Sequence, residues 1–390
     1  MFSITTFGQL LKGLPRGTFD KLVAKHHADK HCKRFNHWKH LVTMMYAQLS
    51  GTASLRTLEA AFNSQRAHHH HLGADRIRRT TLAEANENRP DTVFAETAGW
   101  LMNQLSGELR KETRDLLYLL DSTSITLKGR DFDRWTQTTK TRRTQGIKLH
   151  VLLNGHHAVP VWQAMSAPNV NDVELAHAVS FEAGAMYVFD KGYCDYNLWH
   201  RIAASKARFV TRFKTNAAVT VERERKIPRA AKGIVIRDEI VRFKYKRQTK
   251  GRINLYDKVL RRITVERPDK PTPLVLATND LTSSALELAQ RYRERWGIEL
   301  FFKWIKQHLK IKQFLGRSEN AVRIQLLTAL ISYLLVAILR RKNAVTSSMW
   351  EYLCELRATL LQRTPPADPD RYRKRRAEQA EMQARQLRLI

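Results

Sequence analysis

Cysteine is scarce in this sequence, and so are acidic residues. The 390-residue chain has three cysteines, Cys32, Cys194 and Cys354, which lie far apart and form no CxxC pair. This spacing argues against a disulfide scaffold and against a zinc finger. Aspartate and glutamate total 37 against 68 lysines and arginines, which leaves a formal net charge of +31. A large polyanion is therefore the expected partner, and nucleic acid is the first candidate.

Long apolar segments are also missing, which weighs against an anionic membrane as that polyanion. The longest apolar run, Leu326 to Leu339, has 14 residues and suits a buried core helix better than a membrane span. The first 17 residues contain no uninterrupted apolar stretch before a small-residue cleavage site, so the sequence indicates no secretory signal. We therefore expect a cytoplasmic protein without a membrane segment.

The N-terminal quarter of the chain has a helical pattern. Apolar residues recur at helical spacing, for example at Trp38, Leu41, Val42 and Met45, and this periodicity predicts a helical region. Lysines and arginines are spread along it and could contact DNA phosphates. A charged helical face can equally be solvated without a partner, so both alternatives stay open, with DNA binding as the working hypothesis.

From Asp115 onward the pattern changes to strand-like apolar runs bounded by Gly, Asn or polar turns. Three such runs imply hairpin-linked strands. A helix, a short strand that ends before Asp190 and a second helix follow. This order predicts a mixed α/β fold. Residues 281–314 then carry the longest amphipathic helix pattern of the chain.

Short β-like runs with a basic surplus interrupt this α/β order. Between residues 201 and 270 there are 22 lysines and arginines against 7 aspartates and glutamates. A merely solvated surface usually mixes both signs, so this excess indicates a surface that follows a DNA backbone. The predicted organisation is a helical N-terminal DNA-binding region (1–105), the first part of a catalytic core (112–205), a basic β-rich insertion (206–270), the second part of the core (271–345) and a basic C-terminal tail (346–390).

Two aspartates stand directly after apolar strand-like runs. Asp121 follows LLYLL and Asp190 follows MYVF, so both side chains would project from strand ends that a core holds rigid. Carboxylate oxygens are the ligands that magnesium and manganese prefer, and phosphoryl transfer on DNA commonly uses two such ions. A strand-end aspartate can also be only a turn or cap residue, so the pair alone does not identify a site.

Four other carboxylates could replace a member of this pair: Asp131, Asp133, Asp172 and Asp195. Each lies in a polar, turn-like segment and is interpreted as a cap or a surface residue. His150, in the second strand, could shuttle protons, but satisfied histidines are commoner, and we assign it no role.

A single acid lies in the middle of a basic helical stripe. At about 100° per residue, one helical face carries Tyr292, Arg295, Glu299, Lys303, Lys306 and Lys310. Glu299 and Lys303 could form only a surface ion pair at the favourable i, i+4 spacing. That pair would leave the tyrosine and the other cations unexplained, whereas all of them suit phosphate binding beside a metal ligand. Trp296 and Trp304 flank the stripe and are expected to pack in the core.

The spacing Tyr292, two residues, Arg295, three residues, Glu299, six residues, Lys306 resembles the YREK signature of DDE transposases encoded by bacterial insertion sequences, and all four positions match. The segments YLLDSTSITL and YVFDKGY are similar to the two regions of that family that carry catalytic aspartates. The 108 residues between Asp190 and Glu299 leave room for the β-rich insertion that the family often carries. Residues 7–51 also resemble the N-terminal region of one branch of these transposases.

This resemblance implies an RNase H-like mixed-sheet core in which Asp121, Asp190 and Glu299 form the catalytic triad and bind two Mg²⁺ or Mn²⁺ ions. It also implies that Tyr292 and the basic residues of the stripe bind DNA. The implied partners are double-stranded DNA, as terminal inverted repeats and as target, and a second protomer on paired ends.

The implied reaction is metal-dependent hydrolysis at the element's ends, followed by attack of the freed 3′-hydroxyl on target DNA. Two alternatives stay open. One is an RNase H-like nuclease without strand transfer, and the other is a transposase-derived DNA-binding protein without catalysis.

Overall fold

The computed structural model describes residues 4–363 except 114, 128, 130–131, 133–134, 137–144, 215, 247–252, 268–269, 310 and 312. Asp131, Asp133, Lys310 and the tail from 364 lie outside the described residues. The chain forms two compact units, one of residues 1–105 with 304–390 and one of residues 106–303.

Helices and strands are numbered in chain order. The helices are α1 (Thr6–Leu11), α2 (Arg16–Lys25), α3 (His37–Ser50), α4 (Leu55–Ser64), α5 (Arg66–Leu72), α6 (Arg79–Asn88), α7 (Thr92–Glu112), α8 (Asp172–Ala176), α9 (Tyr196–Ala204), α10 (Ala285–Glu294), α11 (Trp296–His308), α12 (Glu319–Lys342) and α13 (Met349–Ala358). The strands are β1 (Leu117–Thr126), β2 (Gly146–Asn154), β3 (Val159–Ser166), β4 (Met186–Phe189), β5 (Arg208–Arg212), β6 (Val219–Glu224), β7 (Val235–Phe243), β8 (Leu260–Val265) and β9 (Leu274–Thr278).

Helix α12 forms the core of the first unit. It has 24 residues, and its most apolar 18-residue window is 83% buried. Its N-terminus is capped by Ser318, whose side chain accepts the N–H of Ala321, and its last turn is basic, as the helix dipole favours. By length and hydropathy α12 could cross a membrane, but α3 and α6 pack along it. The prediction that the longest apolar run belongs to a buried core helix is confirmed.

The second unit contains a sheet of nine strands, within the described residues, in the order β3-β2-β1-β4-β5-β9-β8-β7-β6. β1, β2 and β3 pair antiparallel, whereas β4 pairs parallel with β1 and β5 pairs parallel with β4. All four residues of β4 are buried, as expected for a central parallel strand covered on both faces. The first five strands have the RNase H-like order and directions. The predicted fold class, an RNase H-like mixed-sheet core with a helical N-terminal region, is confirmed.

The two faces of this sheet are covered by different helices. Trp199 of α9 is fully buried and packs on Phe209 of β5 with ring centroids 5.0 Å apart. On the other face α11 approaches β1 closely, because a Cβ added to Gly297 would lie 3.3 Å from Cδ1 of Leu119. Successive strand residues point to opposite faces, so Asp121 shares the face of Leu119 beneath α11.

The basic β-rich segment extends the core sheet and does not form a sheet of its own. β8 pairs with β9, and β7 and β6 follow outward. Its interior includes an ion pair between Arg261 and Asp238, at 2.7 Å, in which both side chains are buried. β5, which lies inside the predicted insertion range 206–270, is a core strand because it pairs with β4.

The predicted domain boundaries, with residues 271–345 as the second part of the core, stay a prediction. Within the described residues the segment from Trp304, which carries α12, groups with the N-terminal helices in one compact unit. The physical reason is the apolar surface of α12, which α3 and α6 cover. Sequence periodicity predicts that such a helix is buried without indicating which partner buries it.

Candidate active site

Asp121 and Asp190 occupy neighbouring positions where the parallel pairing of β1 with β4 ends. Asp190 follows the last residue of β4, whereas Asp121 lies in the middle of β1, so the expectation that both aspartates stand at strand ends is right for Asp190 and wrong for Asp121. Leu120 of β1 is opposite Phe189 of β4, and the two aspartates are the next residues along these strands. β4 ends there because Asp190 leads into a 3-10 turn formed by Lys191–Tyr193. Carboxyl ends of parallel strands are a common position for functional sites in open α/β sheets.

Glu299 reaches this region from a pair of helices. α10 ends at Glu294, Arg295 is its C-cap, and α11 starts at Trp296. The N–H groups of Arg295 and Ile298 donate to carbonyls three residues earlier, which is a tighter turn than an α-helix makes. The amphipathic pattern over 281–314 is therefore divided between two helices that meet at Arg295, and the expectation of one continuous helix is wrong.

Hydrogen bonds and an ion pair connect Tyr292 and Arg295 of this helix pair to the three carboxylates. The hydroxyl of Tyr292 donates to Oδ1 of Asp190 at 3.2 Å. Nη2 of Arg295 donates to Oε1 of Glu299 at 2.5 Å, and Nη1 lies 3.6 Å from Oδ2 of Asp121. One guanidinium therefore contacts two of the three carboxylates, and all five residues belong to the second unit.

Burial dominates the electrostatics of this cluster. It raises the pKa of Asp121 to about 6, the nearby carboxylates of Asp190 and Glu299 add to that effect, and the N–H of Ser122 and the charge of Arg295 oppose it. Burial also raises the pKa of Tyr292, so its hydroxyl stays protonated and can donate. The raised pKa of Asp121 marks it as a partly buried carboxylate whose charged form would be stabilised by nearby positive charge.

The donor set suits a divalent cation, although a guanidinium now neutralises part of it. Three carboxylates supply the hard oxygen ligands that Mg²⁺ prefers. Within the described part of the chain, no three acidic, histidine or cysteine side chains converge closely enough to hold one ion. The guanidinium of Arg295 instead contacts both Asp121 and Glu299. In donor chemistry the residues fit a divalent ion, provided that Arg295 releases them.

Comparison with known protein families identifies the family of this chain. Residues 112–335, more than half of the chain, match the family described as transposase DDE domain. The chain belongs to the DDE transposase family. Residues 3–75 also match a domain of unknown function (DUF4372). The family match and the transposase relatives identify the enzyme as a DNA transposase of insertion-sequence type. DDE transposases in general depend on divalent metal ions.

Named relatives agree with this assignment. The transposase-named protein y4zB of Sinorhizobium fredii is 42% identical over 305 residues, covering 75% of this chain and 83% of that protein. The protein named as a transposase for insertion sequence element IS5377 of Geobacillus stearothermophilus is 25% identical over 68% of both chains. A solved piggyBac transposase synaptic complex with hairpin DNA covers 95% of this chain and 84% of that chain at 12% identity, with a TM-score of 0.49.

The expected DNA-binding residues of the transposase lie in different environments. Tyr292 and Arg295 contact the carboxylates, as described above. Lys303 is exposed on α11. Lys306 is half-buried in the last turn of α11, and Lys310 lies outside the described residues.

One cation beside the carboxylates was missed by sequence reasoning. β5 runs parallel to β4 with Thr211 opposite Phe189, so Arg212 is adjacent to Asp190 at the same sheet edge. Although burial is the larger effect, the charge of Arg212 acts to lower the pKa of Tyr292, which indicates that the two side chains are close. A signal was available, because Arg212 follows the apolar strand residues of β5 as Asp190 follows those of β4.

The structure also tests what the sequence analysis expected of Trp296, Asp195 and Asp172. Trp296, expected in the core, is 57% exposed at the first position of α11. Asp195 caps α9 by accepting the N–H of Leu198, so its interpretation as a cap is confirmed. Asp172 is not a cap, because Asn171 caps α8; its carboxylate is instead paired with Lys148 at 2.9 Å.

Trp304 packs edge-on against Tyr333 within the first unit, with ring centroids 5.1 Å apart. Its predicted packing role is confirmed.

Proposed function

We propose that this transposase cleaves the ends of an insertion sequence and joins them to target DNA by cut-and-paste transposition, with Asp121, Asp190 and Glu299 as ligands of two Mg²⁺ or Mn²⁺ ions. The supporting observation is the connection of the three carboxylates through neighbouring strand positions and through Arg295. Asp121 and Asp190 are neighbours across the β1–β4 register, and Arg295 joins Asp121 to Glu299. Since like charges repel, such a cluster is consistent with a site kept for binding positive charge.

Divalent ions bound here would stabilise the charge on the scissile phosphate and lower the pKa of the attacking water. The residues of the chain orient the ligands. Tyr292 holds Oδ1 of Asp190 through its hydroxyl, and the N–H of Ser122 holds Oδ1 of Asp121 at 2.8 Å. Attack by water and then by a 3′-hydroxyl requires no covalent protein–DNA intermediate, so Tyr292 acts as an orienting and DNA-contacting residue.

A DNA phosphate beside the carboxylates would meet a group of cations. Arg212 and Arg295 border the cluster, and guanidinium groups form strong, charge-assisted hydrogen bonds with phosphate. Lys303 is exposed on the same helix as Glu299. Lys306 and Lys310 complete the proposed set on the strength of their spacing along the chain. In this proposal Arg295 exchanges Glu299 for a phosphate when DNA binds.

The proposed partners are the terminal inverted repeats and target DNA, both double-stranded. The net charge of +31 supports a polyanionic partner. We assign end recognition to the helical region 1–105 and backbone contacts to the basic segment 206–270. Two protomers would act together on paired ends, in the cytoplasm, where bacterial DNA lies.

Cleavage of the element's own end DNA by a Glu299→Gln variant tests the proposal. The variant keeps the side-chain size and removes the charge that a metal ligand needs, so we expect DNA binding to persist and cleavage in Mg²⁺ or Mn²⁺ to be lost. Glu287→Gln is the matched control, because Glu287 is an exposed acid in the first turn of α10. If Glu299→Gln cuts as fast as Glu287→Gln, Glu299 is not a ligand.

A further inference from the structure

A fourth carboxylate, Asp172, is connected to Asp121 through one residue. The hydroxyl of Ser122 donates to Oδ1 of Asp172 at 3.0 Å. The backbone N–H of the same serine donates to Oδ1 of Asp121 at 2.8 Å. Since neighbouring strand residues point to opposite faces, Ser122 extends to the face of β1 away from Asp121 and still contacts both carboxylates.

The N–H of Ser122 is available for this bond because β4 is short. The pairing of β1 with β4 ends at Leu120 opposite Phe189, so beyond that point this edge of β1 pairs with no strand among the residues that the structure describes. The N–H of Ser122 bonds to Asp121 there. The orientation of the Asp121 carboxylate therefore depends on the orientation of the peptide before Ser122.

Asp172 is itself held firmly. Nζ of Lys148 donates to its Oδ1 at 2.9 Å and to the carbonyl of Val170 at 2.7 Å. The side chains of Lys148 and Asp172 are 13% and 28% exposed, and a partly buried ion pair is screened less by water than a surface pair. Asp172 thus offers Ser122 an acceptor with a fixed position.

His150 borders this group without adding charge to it. Its Nδ1 lies 3.8 Å from Oδ1 of Asp172, and its Nε2 bonds to Oγ of Ser166 at 2.8 Å. Ser166 donates its own proton to the carbonyl of Ala167, so Nε2 of His150 is the donor. Burial lowers the pKa of His150 to about 4, and the ring is neutral at neutral pH. Lys148 is therefore the charged partner of Asp172 on this side.

The local fold does not need the bond between Ser122 and Asp172. β1 and β2 are already paired along nine residue pairs, and α8 is already capped by Asn171. The bond between Ser122 and Asp172 therefore neither caps a helix nor aligns strands. Because it joins the residue after Asp121 to a fixed acceptor, its clearest effect is on Asp121.

We propose that Asp172 is a positioning residue for Asp121: through Ser122 it fixes the peptide whose N–H orients the Asp121 carboxylate, and it thereby sets the affinity of the site for a divalent cation. This inference rests on the proposed role of Asp121 as a metal ligand. Outer partners of metal ligands typically change metal affinity by about 10- to 100-fold when they are removed. Both residues act through one hydrogen bond, so their effects should not add.

Binding of Mn²⁺ to the full-length, DNA-free chain, followed by the electron paramagnetic resonance signal of free Mn²⁺, tests this inference without relying on activity. We expect Ser122→Ala and Asp172→Asn each to weaken Mn²⁺ binding about tenfold. The double variant should lose no more than either single variant, and Ser122→Thr, which keeps a hydroxyl, should bind nearly as the wild type does. Thr126→Ala, a hydroxyl deletion farther along the same face of β1, is the matched control.

The outcomes separate this inference from the proposed function. If Ser122→Ala binds Mn²⁺ as tightly as Thr126→Ala, or if the two single effects add, Asp172 does not act through Ser122. Asp121→Asn is measured in parallel: if it keeps both Mn²⁺ binding and DNA cleavage, the proposed metal site itself is wrong. If Asp172→Asn does not fold, as thermal unfolding would reveal, the comparison of Ser122→Ala with Ser122→Thr decides, because a merely structural role would not make Mn²⁺ affinity depend on that hydroxyl.

Discussion

Replacing Arg295 with glutamine should strengthen metal binding by the DNA-free transposase and weaken DNA cleavage at the same time. In the structure the guanidinium lies between Asp121 and Glu299, where a divalent ion bound by both carboxylates would have to lie. Glutamine removes the competing charge and leaves a polar side chain of similar length. The same change removes a cation that we propose contacts the scissile phosphate.

The expected magnitude follows from the contacts of Arg295. A divalent ion must displace the 2.5 Å hydrogen bond to Glu299 and the weaker 3.6 Å contact with Asp121. A hydrogen bond to a charged group contributes about 1.5–3 kcal/mol. The Glu299 side chain is 35% exposed, so water screens the pair and the lower end applies. Since about 1.4 kcal/mol corresponds to a tenfold change in affinity, Arg295→Gln should bind Mn²⁺ about tenfold more tightly.

Mn²⁺ titration of the DNA-free protein provides the assay, with cleavage of end DNA measured separately. Arg293→Gln is the matched control, because Arg293 is an exposed arginine in the last turn of α10 that the proposal leaves outside the site. It removes the same charge from the chain, so any effect of net charge alone would appear in both variants. An Arg295→Gln affinity equal to or below that of Arg293→Gln would refute the idea that Arg295 occupies the cation position.

Three further predictions concern the same site. Burial raises the pKa of Asp121 from 3.8 to about 6. Between these two pH values the folded protein retains a proton that the unfolded chain releases, so the free energy of unfolding falls as the pH rises. In chemical unfolding with EDTA, Asp121→Asn should therefore be more stable than wild type at pH 8 by up to about 3 kcal/mol, and the difference should vanish near pH 4. Equal stability of the two proteins at both pH values would contradict this. Tyr292→Phe removes the 3.2 Å bond to Asp190 and should slow cleavage about tenfold with metal-free DNA binding unchanged, whereas wild-type cleavage would exclude an orienting role. With precut ends and target DNA, wild type should form joined products on a gel; cleavage without joining would identify a nuclease, and binding without either would identify a non-catalytic DNA-binding protein.

Local sequence features were sufficient to predict the strands and the position of Asp190 at a strand end. An apolar run such as MYVF can remain buried only while it continues, so the change to Asp190 marks the strand end in the sequence itself. The same reasoning failed for Asp121, because β1 continues to Thr126 in its pairing with β2. That Asp121 and Asp190 belong to one site was implied by the family resemblance, since strand pairing is a long-range property. The β1–β4 register then accounts for the adjacency of Asp121 and Asp190.

Features that depend on tertiary contacts were harder to predict from the sequence. The division between α10 and α11 was missed because the residues around Arg295 keep a helical periodicity through a turn of three-residue hydrogen bonds. Asp172 was interpreted as a cap or surface residue because its partner Lys148 lies 24 positions away in the chain. Trp296 was assigned to the core from its size alone, whereas it is exposed at the start of α11.

The spacing of Arg295 and Glu299 has two interpretations. Four residues apart, the two side chains form an ion pair in the structure, whereas the family resemblance assigns the arginine to DNA binding and the glutamate to metal binding. We propose that these are two states of one enzyme, in which Arg295 leaves Glu299 when it binds a phosphate. In that case DNA that captures Arg295 makes Asp121 and Glu299 available to a metal ion, and by linkage bound metal favours DNA binding by the same factor. The cation site would then assemble most readily when DNA is already bound.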